Sequence, residues 1–222
     1  MTMDTGSARC FDGLESMENS PLAGGTIAVL GSSVFAADEA VGEYLAARFD
    51  ARLIKEAVSG TTLCDAAGDS YVSRISRIDP NAGIDLFLCQ LSTNDATLGM
   101  ALGAVSGGMD IGDFDVNTTA GALEYIIAHV KRTWNCPMAI VTGTRYASEA
   151  YARMVDLAGA LGAKWGIGVI DLWHDEALNA ISDERRAQYI AEDGIHPTAL
   201  GYRDWWGPAI ERGVLDCLAE YR

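Results

Sequence analysis

The chain has 222 residues, 49% hydrophobic and 21% charged, which is ordinary for one packed core of good size. Its 31 acidic against 16 basic residues give a formal net charge of −15. That balance argues against nucleic-acid and anionic-membrane partners. No basic start followed by an apolar run, and no stretch of about 18 apolar residues, predicts a secretory leader or a membrane span.

Residues 1–24 read as a polar, partly mobile lead-in, and 25–222 as one domain. The apolar run 26–31 predicts a first strand, ending on Gly31-Ser32-Ser33. A helix over 37–49 follows, with Val41, Leu45 and Phe49 on one face. A strand over 52–58 precedes a helix over 70–78, and a third strand spans 84–91. The Gly- and Asp-rich stretch 96–118 breaks the rhythm, and a loop of that length is usually functional or mobile. Leu123, Ile126, Ile127 and Val130 predict a helix over 119–134. A strand over 138–143, a helix over 148–161 with Glu149 in its first turn, a strand over 168–172 and a final helical segment over 200–218 complete the chain. Alternating strands and helices, with strands too continuously apolar for a one-sided sheet, predict an α/β fold: a three-layer α/β/α sandwich around a mostly parallel five-stranded sheet.

The five cysteines, Cys10, Cys64, Cys89, Cys136 and Cys217, are odd in number and contain no CxxC pair. They read as reduced thiols of a cytoplasmic protein, with Cys89 and Cys136 in the core. The three histidines lack metal-ligand spacing, so no metal site is expected. Asp110, Asp113 and Asp115 lack the EF-hand pattern and read as a solvated loop.

Ligands of open parallel sheets bind beyond the carboxyl ends of the strands. Four polar groups stand there: Gly31-Ser32-Ser33, Ser59-Gly60-Thr61-Thr62, Ser92-Thr93-Asn94-Asp95 and Thr142-Gly143-Thr144-Arg145. A serine hydroxyl needs a base to take its proton and a group to orient that base. His129 falls within a helix, and His174 reads as a capping or surface residue. His196 lies in Asp193-Gly194-Ile195-His196-Pro197, where one turn can bring the carboxylate to the imidazole. A capping Asp beside a structural His is the alternative. Ser33 N–H at a helix start, Gly60 N–H and the Asn94 amide are candidate donors to a developing oxyanion.

These four blocks, in this order, resemble the SGNH hydrolases, also called GDSL-type esterases and lipases. The resemblance covers about residues 25–215. Gly31-Ser32-Ser33-Val34 corresponds to the first block, Ser59-Gly60-Thr61-Thr62 to the second, Ser92-Thr93-Asn94-Asp95 to the third and Asp193-Gly194-Ile195-His196-Pro197 to the last. It implies Ser33 as nucleophile, His196 as base, Asp193 as its orienting carboxylate, and an oxyanion hole of Ser33, Gly60 and Asn94. Two positions depart from the family pattern: Ser32 stands where Asp is usual and Ser92 where Gly is usual. The implied activity is hydrolysis of carboxylic esters, acetyl esters included, of a small molecule or carbohydrate, without metal or organic cofactor.

Ser32, Thr61, Thr93, Arg145 and Trp173 are candidates for lining the substrate site. Phe35, Phe114, Trp205 and Trp206 could wall an acyl or sugar site, although Trp205 and Trp206 read as core. Two other readings remain: a catalytically silent carbohydrate- or ligand-binding member of the same fold, and a phosphate- or nucleotide-binding α/β protein. Against the latter, neither GxxxxGK[ST] nor a post-strand GxGxxG occurs. A homo-oligomer stays open.

Overall fold

The computed structural model describes residues 10–65 and 68–221. Residues 1–9 of the expected mobile lead-in lie outside the described residues. Five strands, β1 (Thr26–Gly31), β2 (Arg52–Ala57), β3 (Leu86–Gln90), β4 (Met138–Val141) and β5 (Gly168–Ile170), form one sheet in the order β2-β1-β3-β4-β5. Every pairing is parallel. The expected five strands are all present, β2 to β5 ending one or two residues earlier than expected.

Alternation along the three inner strands splits the core in two. Ala28, Leu30, Phe87, Cys89, Met138 and Ile140 face one side. There they meet α3 (Tyr71–Arg74), α5 (Thr119–Thr133) and α6 (Glu149–Trp165). Ile27, Val29, Leu86, Leu88, Ala139 and Val141 face the other. They meet α1 (Ser33–Ala36), α2 (Val41–Phe49) and α10 (Gly207–Glu220). The inner strands are buried throughout, which is why they read as unbroken apolar runs. Cys64, Cys89, Cys136 and Cys217 are buried free thiols; burial first of all pushes the Cys89 thiol up to about 12.

Some helices differ from expectation. The predicted 37–49 helix begins only at Val41, as α2, because the chain is extended at Ala37 and the helix starts beyond Ala40, whose N–H donates to Glu43 Oε2; the separate α1 precedes it. The last helix runs from α9 (Ala199–Gly201) through a π-helical turn (Tyr202–Trp206) into α10. The 96–118 stretch follows a short α4 (Thr93–Thr97) and carries a 3-10 turn at Ile111–Asp113. It is pinned by Glu124, which is 0% exposed. Glu124 accepts from Ser106 N–H at 2.7 Å and Trp165 Nε1 at 3.1 Å, and pairs with Lys164. Lys164 in turn donates to the Ser106 and Gly108 carbonyls. No helix among the described residues is long and apolar enough to cross a membrane.

Candidate active site

β1 delivers its carboxyl end into a crowded turn. A Cβ on Gly31 would lie 2.6 Å from Phe35 Cβ and 2.9 Å from Gln90 Oε1, so only glycine fits there. Ser32 is buried, its N–H donating to Gln90 Oε1 at 2.8 Å and its hydroxyl accepting from Gln90 Nε2 at 3.2 Å. Ser33 opens α1 and is half-buried. Its N–H belongs to the first helical turn, where amides have no intrahelical acceptor. The Val34 carbonyl accepts from Tyr202 Oη at 2.5 Å, which ties this turn to the last helix.

The segment from the other end of the chain closes on itself before reaching Ser33. Ile190 bridges Pro197, and Ala191 N–H donates to the His196 carbonyl at 2.8 Å. Inside that turn Asp193 Oδ1 accepts from the amides of Ile195 (2.8 Å) and His196 (3.0 Å). Asp193 Oδ2 lies 2.6 Å from His196 Nδ1, and His196 Nε2 lies 2.6 Å from Ser33 Oγ. Burial raises the Asp193 carboxyl, but those two amides and the imidazole outweigh it and bring it down to about 2. An ionised carboxylate only accepts, so the imidazole proton belongs on Nδ1, leaving Nε2 to accept from the Ser33 hydroxyl.

A third group comes from the ends of β2 and β3. Gly60 has φ +81°, a left-handed conformation that glycine adopts freely. Asn94, in α4, donates one amide N–H to the Thr61 carbonyl at 2.9 Å. Ser92 caps α4 by accepting from Asn94 N–H and also donates to the Thr61 carbonyl. Both departures from the SGNH pattern, Ser32 and Ser92, thus have partners inside the framework. Beneath them Arg74 is 0% exposed. Its guanidinium donates to the carbonyls of Gly31, Glu56 and Asp69 and to Thr61 Oγ1, all at 2.9–3.0 Å. Asp95 accepts from the Leu63 and Cys64 amides.

Two spaces are lined by chain neighbours of Ser33 and His196. A cavity of about 10 Å³, room for about one water, is lined by Val34, Phe35, Thr93, Tyr146, Ile195 and Trp206 among others. An open groove of about 610 Å³ runs past Thr97, Arg145, Tyr146, Arg186 and the 192–195 turn. Tyr146 and Ile195 line both.

The candidates named from sequence separate by position. Ser33, Asp193 and His196 meet directly. Gly60 and Asn94 share the loop around Thr61. Thr93 lines the cavity and Arg145 the groove. Ser32 and Thr61 are engaged within the framework, and Trp173 is buried against Tyr146 and Tyr151. Phe35 and Trp206 line the cavity, whereas Phe114 packs on Trp165. His174 is exposed and pairs with Asp171. His129 packs beside Tyr125 and Trp134, and burial lowers its pKa.

Gln90, Arg74 and Tyr202 were not legible as site residues. Gln90 lies inside a strand, where the carboxyl-end rule looks for nothing. Arg74 carried one signal, its place between Tyr71, Val72 and Ile75 in the predicted 70–78 helix.

Several solved structures share this fold. A protein from Lactobacillus plantarum superposes with a TM-score of 0.70 at 19% identity, covering 90% of this chain and 99% of its own. The Clostridium thermocellum family 3 carbohydrate esterase gives 0.59 at 14%, covering 87% and 96%. The acetyl xylan esterase AlAXEase gives 0.60 at 15%, covering 85% and 99%. No curated protein matches the chain in sequence. The family model does: it spans residues 24–203, from just before β1 to the π-helical turn, and takes in all four motif blocks. The chain therefore belongs to the GDSL-like Lipase/Acylhydrolase family.

Proposed function

We propose that this protein is a serine esterase that removes short acyl groups, acetyl above all, from small-molecule or carbohydrate esters. The observation that carries the reading is the unbroken run of two 2.6 Å contacts from Asp193 through His196 to Ser33. Family membership supplies the reaction class. Fold neighbours that include an acetyl xylan esterase and a carbohydrate esterase support the substrate class. The small size of the cavity lined by Val34 and Thr93, the chain neighbours of Ser33 and Asn94, favours a short acyl group over a long chain.

In this mechanism Ser33 Oγ bonds to the acyl carbon while its proton passes to His196 Nε2. Ionised Asp193 holds the Nδ1 proton and stabilises the imidazolium. Ser33 N–H, Gly60 N–H and the second N–H of the Asn94 amide take the charge that develops on the carbonyl oxygen. The C–O bond to the alcohol breaks and the alcohol leaves with the His196 proton. Water, deprotonated by the same imidazole, then releases the acid.

The test is hydrolysis of 4-nitrophenyl acetate against 4-nitrophenyl octanoate. The acetate should give the higher kcat/KM, and Ser33→Ala should lower it by about 10³-fold or more. Absent turnover would return the protein to a silent ligand-binding role, and turnover that survives in Ser33→Ala would remove Ser33 as the nucleophile.

A further inference from the structure

The groove outside the cavity is unusual for so acidic a protein. It is lined by two arginines, Arg145 and Arg186, and neither forms an ion pair with any described carboxylate. Other described cations, such as Arg52, Arg153 and Arg212, also lack an ion pair among the described residues; what distinguishes Arg145 and Arg186 is that they share one groove. Asn179, on α7 (Glu176–Asn179), braces both. Its Oδ1 accepts from Arg145 N–H at 2.9 Å and its carbonyl accepts from Arg186 Nη2 at 3.4 Å. Its amide is itself fixed on the carbonyls of Leu172 and Asp175. Arg145 Nε donates to the Trp173 carbonyl at 2.8 Å, which orients the guanidinium and leaves its two Nη groups without an acceptor among the described residues.

Two carboxylates line the same groove, Glu192 and Asp193. Both stand on the turn that presents His196, where Asp193 is held by the imidazole and two backbone amides, so the four charges balance formally while neither guanidinium has a carboxylate partner. We infer that the groove receives the alcohol half of the ester, and that this alcohol carries a carboxylate bound by Arg145 and Arg186. The inference rests on the esterase reading for which half of the substrate lies there. The planar fork of a guanidinium fits a carboxylate edge-on, and two guanidiniums without carboxylate partners share this one groove. Arg145 and Arg186 are therefore specificity-determining residues, acting on the part of the substrate that leaves.

The test pairs 4-acetoxybenzoate with its uncharged methyl ester, which share acyl group and ring. Arg186→Gln and Arg145→Gln should each lower the ratio of kcat/KM for the anion to that for the methyl ester by about tenfold. The loss should lie mainly in KM. Raising salt from about 50 to about 500 mM should shrink the wild-type ratio in the same direction. Arg186 stands on α8 (Asp183–Tyr189), a largely exposed helix, so its variant guards against a folding defect in Arg145→Gln. Calorimetric binding of 4-hydroxybenzoate needs no turnover: it should be measurable in wild type and weakened at least about fivefold in both variants. A kinetic ratio unchanged within about twofold in both variants, or 4-hydroxybenzoate binding indifferent to both, overturns the inference. If neither ester is hydrolysed but 4-hydroxybenzoate binding still depends on the arginines, the carboxylate site stands and the esterase reading falls.

Discussion

Asp193 is a carboxylate set by its donors. Burial works against its charge, yet two amides and the imidazole hold its pKa near 2. Replacing it with Asn keeps the shape but supplies an NH2 where the imidazole proton must be accepted. On the proposed mechanism Asp193→Asn should lower kcat on 4-nitrophenyl acetate by on the order of 10²–10⁴-fold, with a smaller change in KM. The same shift has a thermodynamic side. Because the folded value lies below the ordinary 3.8, the carboxylate stabilises the fold above about pH 4, and that contribution disappears as pH falls from there to about 2. Urea midpoints between pH 5 and pH 2 should therefore decline less steeply in Asp193→Asn than in wild type. At this scale the sequence was readable where partners are close in the chain: Asp193 and His196 are three apart, and one turn joins them. The contact between His196 and Ser33 spans 163 positions, and no local pattern encodes such a contact; only the ordered set of family motifs suggested it. Gln90 was missed because its task is to hold a turn from within a strand.

Arg74 acts on several elements at once. It links the last carbonyl of β1, the Glu56 carbonyl in β2 and the Thr61 hydroxyl in the following loop. Arg74→Met should cost about 3–5 kcal/mol in chemical denaturation, since it strands the buried Gly31 carbonyl and the part-buried Glu56 and Asp69 carbonyls and leaves Glu56 without its buried partner. Arg74→Lys should recover only part, because an ammonium cannot reach all of these acceptors together. Glu124 plays a comparable part for the 96–118 stretch, whose glycines and aspartates show nothing of the ion pair beneath it. Helices α5 and α6 were legible because an apolar stripe over four turns is a strong signal. The short helices α4 and α7 were not, since four or five residues contain barely one period, and of α1 only the start at Ser33 was. The π-helical turn was hidden for a related reason. It brings Tyr202, Trp205 and Trp206 to the buried side, an i, i+3, i+4 spacing that an ordinary α-helix produces equally well.

Over the whole molecule, the five strands and their parallel pairing were the most legible feature. Runs such as Ile27-Ala28-Val29-Leu30 need apolar neighbours above and below, and the two core clusters provide them. Phe87, in the middle of β3 and fully buried, sits deep in one of these clusters and stacks on Trp134. Phe87→Ala should cost about 3–5 kcal/mol, read from the denaturation midpoint at constant slope. Strand order followed less directly, because apolar runs carry no label for their neighbours; the parallel β-α-β rule narrows the choices without ranking them.

The turn bearing His196 is fastened to itself through the Ile190–Pro197 bridge and the Asp193 contacts, whereas Ser33 stands on a sheet with two cores. The two halves of the proposed machinery therefore have unequal holding strength, and mild denaturant should loosen the weaker one first. Turnover should fade at urea concentrations where circular dichroism still reports an intact fold, and dilution should bring it back within the time of mixing.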